Sequence, residues 1–215
     1  MIDIHTHILP CIDDGSKSME MTLEMLRIQA RQGVTDVVLT PHFYADQNSP
    51  EEFLQRRNRA YAKVRRVLEP GMPRLHLGAE VQYFEGICQV DDLNRMCVDG
   101  GRYLLLEMPF SDWSRQMVSD AISLNSRSEI QVILAHIERY FRFTTPDVWQ
   151  ELREQGVWMQ SNSSFFLNWK TRHRALNMFR EGQIQFIASD CHNLTTRPPD
   201  LAQALEYVHS KIPNM

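Results

Sequence analysis

The stretch "FIASDCHNLTTRPPD", residues 186–200, admits two readings that lead to different folds. Cys191 precedes Arg197 by the C-x5-R spacing of thiolate loops that cradle a phosphate. Asp190 and His192 flank the same cysteine as two metal-ligand types, placed directly after the apolar run "IQFIAS" (184–189). The thiolate reading needs several backbone N–H groups converging in a nest. Yet "CHNLTTR" contains no glycine, and Pro198 and Pro199 remove two donors just past the arginine. In a chain with four cysteines and 19 arginines, one accidental C-x5-R is unsurprising. The ligand reading makes this stretch the end of a strand, and that pattern recurs along the chain.

Seven short apolar runs have the length and the β-branched, leucine and aromatic content of buried parallel strands. They are "MIDIH" (1–5), "DVVLT" (36–40), "RLHLGAE" (74–80), "YLLLE" (103–107), "IQVILAH" (130–136), "GVWMQS" (156–161) and "IQFIAS" (184–189). Helical segments lie between them. The spacing predicts helices over 18–33, with Gly33 as stop, over 49–71, with Ser49, Pro50 and Glu52 as a capped start, and over 145–156. Further helices are expected near 114–126, 171–181 and 199–211. Six of the seven runs end in His, Asp or Glu: His5 and His7, His42, Glu80, Glu107, His136, and Asp190 with His192. The seventh ends in the neutral polar residues Gln160 and Asn162. An open doubly wound sheet concentrates reactive groups at one switch point, whereas a (β/α) barrel spreads them over the C-terminal ends of many strands. The spread favours the barrel.

At 215 residues, with 43% apolar and 23% charged residues, the chain is expected to fold as one domain over 1–215 with an ample core. Its net charge of −4 argues against a nucleic-acid partner. Four cysteines without C-x-x-C spacing read as reduced thiols, and no run approaches the ~18 apolar residues of a membrane span. These features indicate a cytoplasmic protein with no direct membrane insertion.

Taken singly, a histidine or glutamate after a strand is more often a capping or structural group. Two pairs are more telling: His5/His7 and Asp190/His192 stand at i, i+2, which puts both side chains on one face of an extended strand. Asp14, in "PCIDDGS" (10–16), adds a loop carboxylate whose plainer reading, shared with Asp13, is a turn residue before Gly15. His76, His173 and His209 have no ligand-type companions and read as structural. Nine candidate ligands exceed the three or four of one zinc site and suggest two or three ions sharing a carboxylate. Imidazole and carboxylate without thiolate suit Mn, Fe or Zn. Such clustered ions activate water and clamp phosphoryl oxygens, which points to phosphoester hydrolysis.

"DIHTH" with "DDG", "TPH", "GAE", "LLLEMP", "LAHIERY" and "SDCHN" together resemble the PHP (polymerase and histidinol phosphatase) superfamily. More closely they resemble its bacterial metal-dependent protein tyrosine phosphatases of capsule and exopolysaccharide loci, from residue 1 to about 209. The resemblance implies an α/β fold, a distorted (β/α)7 TIM-like barrel holding three divalent ions, first of all Mn. It implies one ion at His5, His7, Asp190 and a bridging Glu80. A second would share Glu80 and add Glu107 and His136, and a third would take Asp14, His42 and His192. It implies Arg139 and Arg197 as phosphate clamps and, as substrate, phosphotyrosine on a membrane-associated bacterial tyrosine kinase that controls polysaccharide export. The implied reaction uses a hydroxide bridging two ions, with no covalent phosphoenzyme. Phe43, Phe110 and Trp113 are candidate walls for the phenyl ring, and Asp13 or His42 is a candidate general acid. Cys11 and Cys191 stand where the family more often has small residues, which would bring two thiols close to the ions. The rival readings are a small-molecule phosphomonoesterase of the histidinol-phosphatase type, cysteine chemistry through Cys191 and Arg197, an amidohydrolase, and a non-catalytic metal-binding regulator. The amidohydrolase is disfavoured because none of the four lysines follows a strand.

Overall fold

The computed structural model describes residues 1–212. The apolar runs pair with one another in parallel throughout. β1 (Ile2–Thr6), β2 (Asp36–Leu39) and β4 (Arg74–Leu77) form one three-stranded sheet. The second sheet runs β3 (His42–Phe43), β5 (Glu80–Gln82), β6 (Tyr103–Glu107), β7 (Gln131–Leu134), β8 (Trp158–Asn162) and β9 (Phe186–Ala188). An isolated parallel bridge between Thr6 and Cys191 brings the last strand back to the first.

The division into two sheets has a local cause. Pro41 has no N–H to give to a ladder, so the path of β2 breaks there and resumes as β3. Its neighbour follows: Gly78 donates to Leu39 O at 2.9 Å, Glu80 donates to Pro41 O at 3.1 Å, and β4 resumes as β5. The nine strands therefore trace seven paths, one for each apolar run. The expected parallel α/β architecture is present; the pairing is interrupted rather than one unbroken closed ladder.

Helices fill the connections. α1 (Met19–Arg31) is capped by Ser18, whose side chain accepts from Met21 N. α2 (Pro50–Arg65) opens with the reciprocal Ser49/Glu52 capping box and Pro50 at its first position. It ends at Arg65, because Pro70 can neither donate to the Arg66 carbonyl nor pack against it, so the helix cannot run on to Gly71. α3 (Arg115–Asn125), α4 (Pro146–Glu154), α6 (Arg172–Arg180) and α7 (Leu201–Lys211) fall where the periodicity puts them. The sequence reading did not include α5 (Ser163–Leu167) or the 3-10 turns between Ile87 and Gly100. Both are too short to show a helical period. No helix among the described residues is long and apolar enough to cross a membrane. His76 is structural, as expected, and bridges Asp36 and Asp99 at 3.0 and 2.6 Å.

The main core lies between the second sheet and its helices, with Leu104, Leu106, Val132, Leu134 and Met159 fully buried. Phe43 belongs to it, which corrects its expected place beside the substrate. In β3 successive side chains take opposite faces; His42 turns to the site and Phe43, 1% exposed, packs edge-on against Phe53 at 5.2 Å. Urea unfolding should therefore show a loss of about 3–5 kcal/mol for Phe43→Ala. Phe110→Ala, at a position 47% exposed, should lose less than about 1 kcal/mol.

Candidate metal centre

All nine candidate ligands meet at the C-terminal strand ends. Glu80, the first residue of β5, is 1% exposed and lies at the middle of the group. Its Oε2 lies 3.2 Å from His5 Nε2 and 3.1 Å from both His7 Nε2 and His42 Nδ1. Its Oε1 lies 2.8 Å from His136 Nε2. Glu107, at the end of β6, comes within 3.4 Å of His136 Nε2 and 3.8 Å of His42 Nδ1. Asp190 Oδ1 lies 3.4 Å from His5 Nε2 and 3.5 Å from His7 Nε2. Asp14, the exposed member, reaches His192 Nε2 at 3.3 Å and His42 Nε2 at 3.5 Å.

Three overlapping groups have ligand atoms mutually within 4.8 Å: His5/His7/Asp190, His42/Glu80/Glu107 and His7/Asp14/His42/His192. They overlap the division that the resemblance implies but do not coincide with it, since His7 and His42 each stand in two neighbourhoods. The three groups contain no cysteine. Cys191 is fully buried in the apolar cluster with Ile8 and Leu9, and Gln29 Nε2 lies 3.9 Å from its sulfur. Cys11 is exposed and meets Lys17 O. The expected crowding of two thiols against the ions is therefore absent. Burial first, and then the negative charge of Asp3, pushes the Cys191 thiol well up, the reverse of what a nucleophile needs.

The fit to cations rests on which polar atoms lack partners. Among the described residues six buried side-chain atoms have no hydrogen bond, and four of them, His42 Nδ1, Glu80 Oε2, Asp190 Oδ1 and His192 Nε2, belong to residues of the three groups. Buried polar atoms are normally satisfied. Four orphans in one cluster, close together yet not aligned to bond one another, mark a place shaped for something that accepts lone pairs. The donor set, nitrogen and oxygen without sulfur, fits divalent ions of the Mn, Fe and Zn type.

Outer contacts fix the ligands. His5 Nδ1 donates to Gln160 Oε1 at 3.1 Å, because an amide oxygen can only accept, and this leaves the Nε2 lone pair facing inward. Gln160 Oε1 also accepts from His136 N at 2.8 Å. Gln160 Nε2 donates to Asn162 Oδ1 at 2.9 Å, and Asn162 Nδ2 donates to Asp190 Oδ2 at 2.7 Å. The one strand without a ligand thus holds ligands of three others. Asp13 does the same for His7: its Oδ2 accepts from His7 Nδ1 at 2.8 Å and from His42 N at 3.1 Å. It is therefore committed to positioning and not free to serve as an acid. Gly15 packs so tightly here that a Cβ would lie 2.1 Å from His7 O. Only glycine fits.

The backbone is strained at two ligands. His136 and Asp190 have φ of 30° and 52°. The left-handed turn at Asp190 corrects the expectation that Asp190 and His192 share the face of an extended strand; both lie beyond β9 and converge through this turn. Such backbone costs about 1–3 kcal/mol per residue and persists only where the surroundings enforce it. The Asp190 N–H to His5 O bond, at 2.9 Å, is one such restraint.

Charge is balanced here by protons. Burial alone would lower His7, but the charge and hydrogen bond of Asp13, reinforced by Glu80, raise it to about 10. Burial would likewise lower His136, but its bonds with Glu107 and Glu80 raise it to about 9. Burial works against ionised Glu80, yet His5 and His42 hold it well below the usual range. Divalent ions would take the place of these protons.

Arg139 and Arg197 stand at the rim. Arg197 Nη2 donates to Asp190 Oδ2 at 2.6 Å, and Arg139 Nη2 lies 3.3 Å from the same oxygen. Asn193, missed in the sequence, shapes the Arg197 loop: its Oδ1 accepts from the N–H groups of Thr195, Thr196 and Arg197. Phe110 stacks on His136 at 5.9 Å and Tyr44, also missed, stacks on His42 at 5.0 Å. Trp113 packs inward against Tyr140 and Trp149 instead.

A parallel α/β scaffold with clustered imidazoles and carboxylates at its strand ends defines a metal-site protein of the PHP type. The chain belongs to the CpsB/CapC family of capsular polysaccharide synthesis, whose family model matches residues 1–214. It is 29% identical to the tyrosine-protein phosphatase CpsB of Streptococcus agalactiae, over 97% of this chain and 89% of the relative. It is 31% identical to the tyrosine-protein phosphatase YwqE of Bacillus subtilis, over 98% of this chain and 84% of the relative. A crystal structure from work on YwqE and on CpsB of Streptococcus pneumoniae, described as unique metal-dependent tyrosine phosphatases, superposes with a TM-score of 0.84 at 26% identity. That match covers 98% of this chain and 87% of the other.

Two predictions follow from the supports of the site. Asp13→Asn should weaken Mn²⁺ binding by about 10–100-fold in calorimetric titration of the chelated protein. Below the site Ser189 donates to Asp3, and Ser163 donates to Asp200. Burial, and then the charge of Asp3, raises the Asp200 carboxyl to about 6. A raised folded value means that its stabilising contribution is complete below pH ~4 and is lost as pH climbs through 6. Asp200→Asn should therefore leave stability near pH 4 unchanged and raise it by about 1–3 kcal/mol at pH 8 in thermal unfolding.

Proposed function

We propose that this chain is a metal-dependent protein tyrosine phosphatase acting on phosphotyrosine of a bacterial protein, specifically a membrane-associated tyrosine autokinase that governs capsular polysaccharide synthesis. The observation that carries the reading is the set of four orphaned buried donor atoms on His42, Glu80, Asp190 and His192. The family membership and the tyrosine-phosphatase relatives support the substrate. We read the two sheets and the Thr6–Cys191 bridge as one distorted (β/α)7 barrel, and residues 1–215 as a single catalytic domain. We assign it to the cytoplasm, which its four free thiols support.

In this reading His5, His7, Asp14, His42, Glu80, Glu107, His136, Asp190 and His192 hold three divalent ions, Mn ahead of Fe or Zn. Bound ions supply an activated water and neutralise charge on the phosphoryl oxygens. The protein's own groups do the rest. Gln160 and Asp13 keep the lone pairs of His5 and His7 turned inward. Arg139 and Arg197, each anchored by one nitrogen to Asp190, keep further N–H donors with which to hold a phosphate at the rim. Phe110 and Tyr44 flank the mouth and suit a phenyl ring. A phenolate leaving group, with a pKa of about 10, needs less protonation than an alkoxide, so a site without a dedicated acid suffices.

Hydrolysis of a phosphotyrosine peptide, measured with metal content before and after chelation, tests this. Activity should vanish on chelation and return with Mn²⁺. Arg197→Ala should lower kcat/KM on the order of 10²-fold. Cys191→Ser should retain turnover; its total loss with metals still bound would restore the cysteine mechanism. Equal rates on small phosphomonoesters and the peptide would move the assignment to a small-molecule phosphatase.

A further inference from the structure

Helix α2 departs from the charge of the whole chain. The protein carries −4 overall, yet between Pro50 and Arg66 six cations stand against two carboxylates, Glu51 and Glu52, both in the first helical turn. Of these cations Arg57 is buried and donates to Gly78 O. Arg56 is tied to the loop that leads to the metal centre, donating to Ile12 O at 2.8 Å. Arg59 and Lys63 are exposed, and among the described residues neither meets a carboxylate. Arg56, Arg59 and Lys63 line a groove of about 400 Å³, floored by Ile12, Met19 and Ala60. Its far wall is Pro10–Cys11–Ile12, the segment that continues into Asp13 and Asp14. From Cys11 to Asp14 is three residues, at most about 10 Å of chain.

A cationic groove with an apolar floor, opening beside a catalytic mouth, suits an extended acidic segment. A β-like peptide advances about 3.3 Å per residue. A chain whose phosphotyrosine enters the mouth therefore sets residues about three positions away at the Cys11 wall of the groove that Arg59 and Lys63 line. We infer that this groove docks acidic residues flanking the phosphotyrosine of the substrate protein, so that the enzyme selects acidic phosphotyrosine segments by long-range charge as well as by the phosphate. The inference rests on the phosphatase reading for its substrate, but the groove can be tested independently of turnover.

The test uses the full chain loaded with Mn²⁺ and the charge-reversed variant Arg59→Glu/Lys63→Glu. Neither residue belongs to the site machinery. Fluorescence anisotropy measures binding of labelled peptides that carry a non-hydrolysable phosphonate mimic of phosphotyrosine, flanked by glutamate, glutamine or lysine. The wild-type chain should bind the glutamate peptide on the order of ten-fold tighter than the lysine peptide, with the gap closing in high salt. The variant should lose or invert that order while hydrolysing para-nitrophenyl phosphate at the wild-type kcat/KM. Equal affinity of the wild-type chain for all three peptides would overturn the inference, as would an equal loss for all three in the variant. Binding to phosphatidylserine vesicles that the variant abolishes, without any peptide preference, would give the surface to a membrane instead. Glutamate-selective binding with no hydrolysis of any substrate would sink the catalytic reading and leave the groove standing.

Discussion

Glu80 is a carboxylate removed from water and surrounded by four imidazoles that arrive from three different strand paths. An isolated buried carboxylate is very costly, and neutral imidazoles whose lone pairs point at it do not help. The arrangement is stable only with positive charge among these groups, as protons on His7 and His136 or as divalent ions. Much of the surrounding architecture serves that requirement. The parallel strands end together, Pro41 breaks the β2 path so that His42 turns inward, and Gly15 lets the loop close against His7. Because protons and metal ions compete for the same lone pairs, folding, ionisation and ligand loading are one linked equilibrium.

The strand content was legible because buried parallel strands carry their signal in composition, and each of the seven apolar runs became one strand path. The clustering of the candidate ligands was legible for a related reason: polar residues that could bind metal, placed directly after apolar runs, stand out against their neighbours. What stayed hidden depends on distance in space. Gln160 and Asn162 look like ordinary strand-end polars, and nothing local tells that they hold His5 and Asp190. Asp13 and Asp14 are adjacent in one turn, and only the fold decides that one holds a histidine while the other faces the mouth. Phe43 misled for the opposite reason. Its neighbour His42 belongs to the site, and a two-residue strand sends the two side chains to opposite sides.

Strain and satisfaction are distributed unequally over the ligands. His5 and His7 are held through both a ring nitrogen and the backbone of an ordinary strand end. His136 and Asp190 sit in left-handed backbone and depend on neighbours to keep them there. The Gln160 side chain supports the first kind and the second at once, since one oxygen receives both the His5 ring and the His136 backbone. Stability and site geometry are therefore coupled most tightly at β8, the strand that contributes no ligand.

The amide pair on β8 also has a direction. Its oxygen end faces His5 and its nitrogen end faces Asp190, and rotating either amide by half a turn would set donor against donor at one end and acceptor against acceptor at the other. The two amides thus act as a polarity key that fixes the tautomer of His5 and leaves Asp190 Oδ2 an acceptor. The nine candidate ligands copied onto another parallel sheet without that key would reproduce the positions of the side chains and leave the His5 ring hydrogen unassigned. Transplanting this centre means carrying across two neutral residues that never touch the cargo.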